Sequence, residues 1–223
     1  DDQELFVKNR MVPQGISRLT PGSGVDLKKF PPSEIPNGQQ FTFLLIARML
    51  WDKGIGEFVS AARSIKSKIP NVRFQMLGPL GVENRTAISS NQMADWTNDG
   101  LIDYLGEVND VAAYISQADC IVLPSYREGT SRVLLEAAAM ARPIITTDVP
   151  GCKEIVDDGV NGFLCRPKDV SDLAEKMIKM ARLPYFERSE MGRRGRRRIV
   201  SEFDQDIVIR IYKDAIDEVL KKG

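Results

Sequence analysis

Short, nearly continuous apolar runs alternate with longer amphipathic ones from Phe41 onward, and this alternation is what most narrows the folds open to the chain. The runs are Thr42 to Ala47, Val72 to Leu77, Ile102 to Tyr104, Cys120 to Leu123, Pro143 to Thr146 and Gly162 to Cys165. Several lack the polar alternation of a half-exposed strand, as expected when both faces of a parallel sheet are covered. Helical patterns lie between them, over Gly56 to Ser67, Thr86 to Thr97, Asp110 to Gln117, Ser131 to Met140 and about Lys153 to Val156. The expected fold class is therefore α/β, a doubly wound parallel sheet.

Beyond Cys165 the pattern changes to three helices, Val170 to Leu183, Glu190 to Ser201 and Asp204 to Lys221, with no strand among them. Upstream, Gln3 to Met11 has a weak helical pattern that stops at Pro13, Ile16 to Thr20 suits a short strand, and the proline-rich Phe30 to Gly38 reads as a loop. No repeat or linker divides the chain, so residues 1–223 are expected to form one domain with helical flanks at about 1–15 and 184–223. By size scaling, a chain of 223 residues buries about 70% of its unfolded surface, enough for a self-sufficient core.

Ligands of open parallel sheets bind beyond the carboxyl ends of the strands, so the strand assignments select the loops that matter. The first reads Arg48-Met-Leu-Trp-Asp-Lys53-Gly54. Two cations flank a turn at the head of a helix, where free N–H groups also favour an anion such as a diphosphate. The same pair reads about as well as solvated surface cations. The second loop, Gly78-Pro-Leu-Gly81, makes a tight turn, and Gly106-Glu107-Val108 lies along the same edge, where its backbone can face a base.

The third loop holds Glu128 and Glu136, separated by Gly129, Thr130, Ser131 and the start of a helix. One carboxylate falls in the loop and the other about two turns into the helix, with a Gly-Thr-Ser entrance between them for an anion. Carboxylates bind paired hydroxyls well, because charge strengthens each hydrogen bond accepted. A sugar joined to a phosphate suits such a site, although a loop acid plus an exposed helix glutamate would give the same letters.

Composition removes other classes. The 31 basic and 31 acidic residues balance, so no net field favours nucleic acid or an anionic membrane. There is no histidine, which excludes histidine-activated nucleophiles and histidine metal ligands within this chain. The three cysteines, Cys120, Cys152 and Cys165, lack metal-ligand spacing and read as buried thiols. No apolar run approaches the roughly 20 residues of a membrane span, and the expected location is cytoplasmic. The start at Asp1 suggests a fragment or a processed chain. Arg193, Arg194, Arg196, Arg197 and Arg198 wrap right around a helix, so a solvated helix is expected there rather than a lipid site. The Ala137 to Ala139 stripe suits close helix packing, and Trp51 and Trp96 receive no role.

Five segments in order resemble the C-terminal, donor-binding half of a GT-B-fold retaining glycosyltransferase, of the bacterial group that includes capsule and lipid-linked glycan enzymes. They are the Pro-Gly-Ser-Gly-Val-Asp segment ending at Phe30, the Arg48 to Lys53 loop, Leu-Gly-Glu-Val ending at Val108, the segment from Leu123 to Ala137, and the run from Arg142 to Leu164. The resemblance covers nearly the whole chain from about Thr20, and it implies a Rossmann-like fold. Arg142 stands where many relatives have glycine, and Ser23 where many have asparagine.

The resemblance implies that Arg48 and Lys53 bind the diphosphate of a nucleotide sugar, that Glu136 holds the ribose hydroxyls, and that Glu128 faces the transferred sugar. Gly129, Thr130 and Ser131 would close around sugar and phosphate, with Val108 near the base. It further implies a hexose or N-acetylhexosamine on UDP, a glycan or lipid-linked acceptor, no metal, and peripheral membrane association of the full-length enzyme. The acceptor-binding half would precede residue 1, so the chain alone is expected to transfer little. A non-catalytic nucleotide-binding module and a GT-B-fold epimerase are the alternatives; a dinucleotide dehydrogenase is disfavoured, since no Gly-x-Gly-x-x-Gly follows the first strand.

Overall fold

The structure is a computed structural model and describes residues 6–13, 17–69 and 71–221. Six strands, β1 (Phe41–Ile46), β2 (Val72–Leu77), β3 (Asp103–Tyr104), β4 (Cys120–Leu123), β5 (Ile144–Thr147) and β6 (Gly162–Cys165), form one sheet. Its order is β3-β2-β1-β4-β5-β6 and every pairing is parallel. The helices are α1 (Ile55–Lys66), α2 (Ser90–Asn98), α3 (Ala112–Gln117), α4 (Arg132–Ala139), α5 (Val170–Arg182), α6 (Tyr185–Glu202) and α7 (Gln205–Leu220).

Two cores explain the apolar strands. Alternate residues of β1 point to opposite faces: Phe43 and Leu45 join a cluster with Phe58, Ile65, Met93, Leu173 and Met177, whereas Leu44 and Ile46 join one with Ile115, Leu134, Leu135 and Ile199. Helices α1, α2 and α5 thus cover one face and α3, α4 and the end of α6 the other, and a strand between them needs an apolar residue at every position. This is a Rossmann-like doubly wound fold, the expected class.

The helix ends follow local chemistry. Asp169 caps α5 by accepting from Asp172 N–H at 2.9 Å, Lys179 and Arg182 sit in its last turn, and Asp204 caps α7. Helix α6 begins at Tyr185, just after Pro184, earlier than the sequence pattern suggests.

Three expected elements differ. The strand expected over Ile16 to Thr20 is absent from the described residues 17–20, and residues 14–16 lie outside the description; of Gln3 to Met11, the described part holds a helical turn at 6–8. The helix expected from Thr86 starts instead at Ser90, capped by the Ser89 hydroxyl, because residues 86–88 serve another purpose. Thr86 O accepts from Trp51 N–H at 2.7 Å and Ile88 N–H donates to Met49 O at 2.9 Å, so this segment braces the loop after β1. The helix expected at Lys153 to Val156 is a run of turns. There the Asn161 side chain accepts from Asp157 N–H at 2.7 Å and donates to Ile155 O at 3.0 Å, replacing the helical ladder.

Candidate functional site

Strand order reverses between β1 and β4, the switch point at which an open parallel sheet forms its ligand crevice, and the loops that leave their carboxyl ends flank it. The β1 loop turns through a single 3-10 turn, Trp51–Lys53, and enters α1 at Gly54, whose φ of 72° is left-handed. A Cβ there would lie 2.1 Å from Pro124 O, so glycine lets the two loops touch. Asp52 O accepts from both Tyr126 N–H at 2.9 Å and the Ser125 hydroxyl at 3.3 Å, which rivets the loops together. The two unassigned tryptophans meet edge to face behind this turn, 5.9 Å apart.

Lys53 and Glu128 meet across the crevice. Lys53 Nζ lies 2.6 Å from Glu128 Oε1, with side chains only 18% and 13% exposed. Partial burial makes this pair stronger than a surface ion pair and holds both groups at the mouth of the crevice. Arg48 stands nearby in sequence, exposed, with no ion pair among the described residues.

The loop carrying Glu128 is clamped from behind. Gly151, at φ 83°, packs so closely that a Cβ would lie 1.6 Å from Gly129 O. Gly151 O accepts from Ser131 N–H at 3.1 Å, and the Thr147 hydroxyl donates to Ser125 O. Thr130 rests against Gly22. Ser131 is the N-cap of α4 without a side-chain cap bond, and the first backbone bond of the helix runs from Leu135 N–H to Ser131 O. The N–H groups of Arg132, Val133 and Leu134 are thus directed back toward the loop. Helix α4 begins at Arg132, so Glu136 lies little more than one turn inside it, rather than about two.

Glu136 is not an exposed helix acid. It is 9% exposed and lines a cavity of about 280 Å³ with Ser23, Asp26, Lys29, Phe30, Arg132 and Gln205 among its walls. Burial pushes its carboxyl above the ordinary range, opposed by Arg132, whose guanidinium is 3.8 Å away, and by Lys29. The roof is pinned by Val25, whose N–H donates to Phe203 O and whose O accepts from Gln205 N–H. Arg48, Lys53 and Glu128 are not among the residues that line this cavity. Val108 is half-buried against the core on the α3–α4 side, beyond β3.

Some participants were not singled out from sequence. The Tyr126 hydroxyl, two residues before Glu128, donates to Glu57 Oε1 at 2.6 Å, and a lone tyrosine in a loop carries no periodic signal. Arg132 flanks Glu136 by i,i+4 helix geometry, whereas Lys29, also exposed, flanks it because the 23–30 segment folds over α4. Arg142 is fully buried and donates to Ile115 O, Ser33 O, Glu34 O and Ser116 O, tying the proline-rich loop to the sheet. The arginines of α6 are solvated or structural: Arg193, Arg194 and Arg197 pair with Glu190, Arg198 with Asp157 and Glu202, and Arg196 binds backbone carbonyls. All three cysteines are free and buried, and burial pushes the Cys152 thiol up to about 11.

Among the described residues there is no group of three or more histidine, cysteine or acidic side chains arranged for a metal, and no helix long and apolar enough to cross a membrane. A cation, a carboxylate and a helix entrance around one crevice can hold an anion joined to a polyol.

The chain resembles known proteins along the same lines. It is 27% identical to N,N'-diacetylbacillosaminyl-diphospho-undecaprenol alpha-1,3-N-acetylgalactosaminyltransferase of Campylobacter jejuni, over 97% of this chain and 58% of that protein. Among solved structures, a glycosyltransferase from Rickettsia africae matches with a TM-score of 0.85 at 19% identity, covering 100% of this chain and 62% of the other. The Anabaena protein Alr3699/HepE, solved in complex with UDP-glucose, matches with a TM-score of 0.73 at 20% identity, over 89% and 56%. The chain spans about half the length of the curated relatives it matches. The family described as Glycosyl transferases group 1 matches residues 40–182, the stretch that contains the sheet, the crevice and both glutamates. The chain therefore belongs to the glycosyl transferases of group 1, as one Rossmann-like half of the GT-B fold.

Proposed function

We propose that this chain is the donor-binding half of a retaining glycosyltransferase that moves a hexose or N-acetylhexosamine from a UDP sugar to a glycan or lipid-linked acceptor. The observation that carries the reading is the Lys53–Glu128 contact of 2.6 Å at the point where strand order reverses. A cation and a carboxylate so placed suit the junction of a phosphate with a sugar: Lys53 and Arg48 take the diphosphate, and Glu128 the transferred sugar's hydroxyls. Gly129, Thr130 and the N-cap Ser131 close around that junction. Glu136, in the cavity it lines, takes the ribose diol, with Val108 towards the base.

In transfer, negative charge builds on the departing diphosphate. Lys53, held in place and partly buried, and the exposed Arg48 would stabilise that charge, and the reading therefore calls on no metal. A front-face route, in which the leaving phosphate helps deprotonate the acceptor, fits a site where Glu128 is already paired with Lys53. The name of the Campylobacter relative supports a lipid-linked acceptor, and the UDP-glucose complex of the Anabaena protein supports a UDP sugar. A cytoplasmic location, with the whole enzyme at a membrane surface, belongs to the same reading.

A thermal-shift screen across nucleoside diphosphates and their sugars tests it. UDP and a UDP sugar should raise the melting temperature more than the ADP or GDP counterparts. No response to any nucleotide would reject the donor site. Since the acceptor-binding half is not in this chain, it should bind donor but transfer little by itself; efficient transfer to an added acceptor would overturn that part.

A further inference from the structure

One half-buried carboxylate beside the Glu128 loop, with one oxygen fully shut off from solvent, has no role in the proposed donor site. Glu57, in the first turn of α1, accepts the Tyr126 hydroxyl on Oε1 at 2.6 Å, while its Oε2 is shut off from solvent with no hydrogen-bond partner. A buried, unpartnered carboxylate oxygen destabilises a fold, and an apolar pair of the same shape would fill this space without that penalty. Stability alone does not explain its presence.

What the pair holds is specific. Tyr126 lies two residues before Glu128. Its N–H is bound by Asp52 O, its hydroxyl by Glu57 from the helix that follows the Arg48–Lys53 loop, and the Lys168 ammonium lies 4.7 Å from its ring centre. The loop after β1, helix α1 and the loop after β6 therefore all hold this one residue, the first through its backbone and the other two through its side chain. Lys53 is set by its own turn, where its N–H donates to Leu50 O, whereas Glu128 sits in a segment without regular structure. That segment takes its position from its anchors.

We infer that Glu57 is a positioning residue that acts through Tyr126 to set the height of the Glu128 carboxylate above the diphosphate-binding loop. The inference rests on the proposed donor site and adds to it a separation of duties. The Glu57–Tyr126 pair governs recognition of the sugar, not of the bare nucleotide.

The test is calorimetric titration of the chain with UDP and with UDP-N-acetylglucosamine, alongside melting temperatures. Tyr126→Phe alone strands both Glu57 oxygens and should lower the melting temperature. The double variant Glu57→Met/Tyr126→Phe replaces both partners by apolar groups and should regain it. That double variant should keep its UDP affinity within about threefold yet lose about tenfold in affinity for the sugar nucleotide, the scale of one hydrogen bond to a charged group. Glu57→Gln, which still offers the phenol an acceptor, should retain the sugar-to-nucleotide ratio within about threefold and serves if the double variant fails to fold.

An unchanged ratio in a folded double variant overturns the inference, and so does an equal loss for both ligands. A Glu57→Gln variant that loses the ratio while folding normally overturns it as well, since charge rather than position would then be at work. Those outcomes leave the donor site standing. A wild-type chain that binds neither ligand overturns the donor site and this inference together.

Discussion

Gly151→Ala tests whether the loop carrying Glu128 is set by the turn behind it. A Cβ at residue 151 would stand 1.6 Å from Gly129 O and 2.5 Å from Glu128 O, where real contacts stay beyond 3.0 Å. The Gly129 carbonyl would have to retreat by well over an ångström. The backbone at 151 is also left-handed, with φ of 83°. Gly159 separates the two effects, since its φ is 76° but a Cβ there meets nothing within 4 Å. Both alanine variants bear about 1–2 kcal/mol for the left-handed backbone. Only Gly151→Ala adds overpacking, about 1–3 kcal/mol. In a chain of this size each kcal/mol moves the melting temperature by about 2–4 °C. Gly159→Ala should therefore melt about 2–8 °C below wild type and Gly151→Ala about 2–12 °C lower again. Because the displaced Gly129 carbonyl lies next to Glu128, Gly151→Ala should also weaken sugar-nucleotide binding while Gly159→Ala keeps it. Equal melting temperatures for the two variants, with sugar-nucleotide affinity intact in both, would refute the clamp.

Arg142→Met should destabilise the chain by about 3 kcal/mol or more in urea unfolding, because it removes the buried donor of four backbone carbonyls; a loss under about 1 kcal/mol would show that the Ser33–Glu34 loop holds without it. Glu136→Gln should alter the pH dependence of stability. Burial raises the Glu136 carboxyl above 4.5, so the folded chain keeps this proton to higher pH than the unfolded one, and stability falls as pH rises through that window. The variant should melt increasingly above wild type as pH climbs past about 4.5, then hold a constant margin once wild-type Glu136 is ionised; a margin independent of pH would contradict the buried placement. Glu128→Ala should reduce turnover of an enzyme reassembled with its acceptor half far more than it weakens UDP binding, and equal losses in both would assign Glu128 to the nucleotide or the fold.

The sheet was legible because burial on both faces leaves no polar alternation: Leu44 and Leu45 are both fully buried, each in a different core. The Arg48–Lys53 and Glu128 loops were legible by the same route, since knowing which runs are strands fixes which loops leave their carboxyl ends, whereas the strand order came from the structure. What escaped was tertiary. The letters around Glu136 left a ligand-facing carboxylate and an exposed helix acid both open, and its burial comes from residues 23–30, more than a hundred positions earlier, which close over α4. Residues 86–88 have helical letters but serve as a brace for Trp51 and Met49. Lys153 to Val156 is drawn into turns by Asn161, a side chain that competes for backbone groups and so defeats propensity. Arg142, a charged residue with no exposed surface, is accounted for in the structure through the carbonyls it binds.

The central claim is that Lys53 is the phosphate-binding partner of a crevice whose other wall is Glu128. Calorimetric titration of UDP into wild type and Lys53→Ala addresses it directly. Loss of one hydrogen bond to a charged group should weaken binding by about 1.5–3 kcal/mol, a Kd larger by roughly 10- to 150-fold, with the fold intact by melting. An unchanged Kd would contradict the claim and return Lys53 and Glu128 to the status of a structural ion pair.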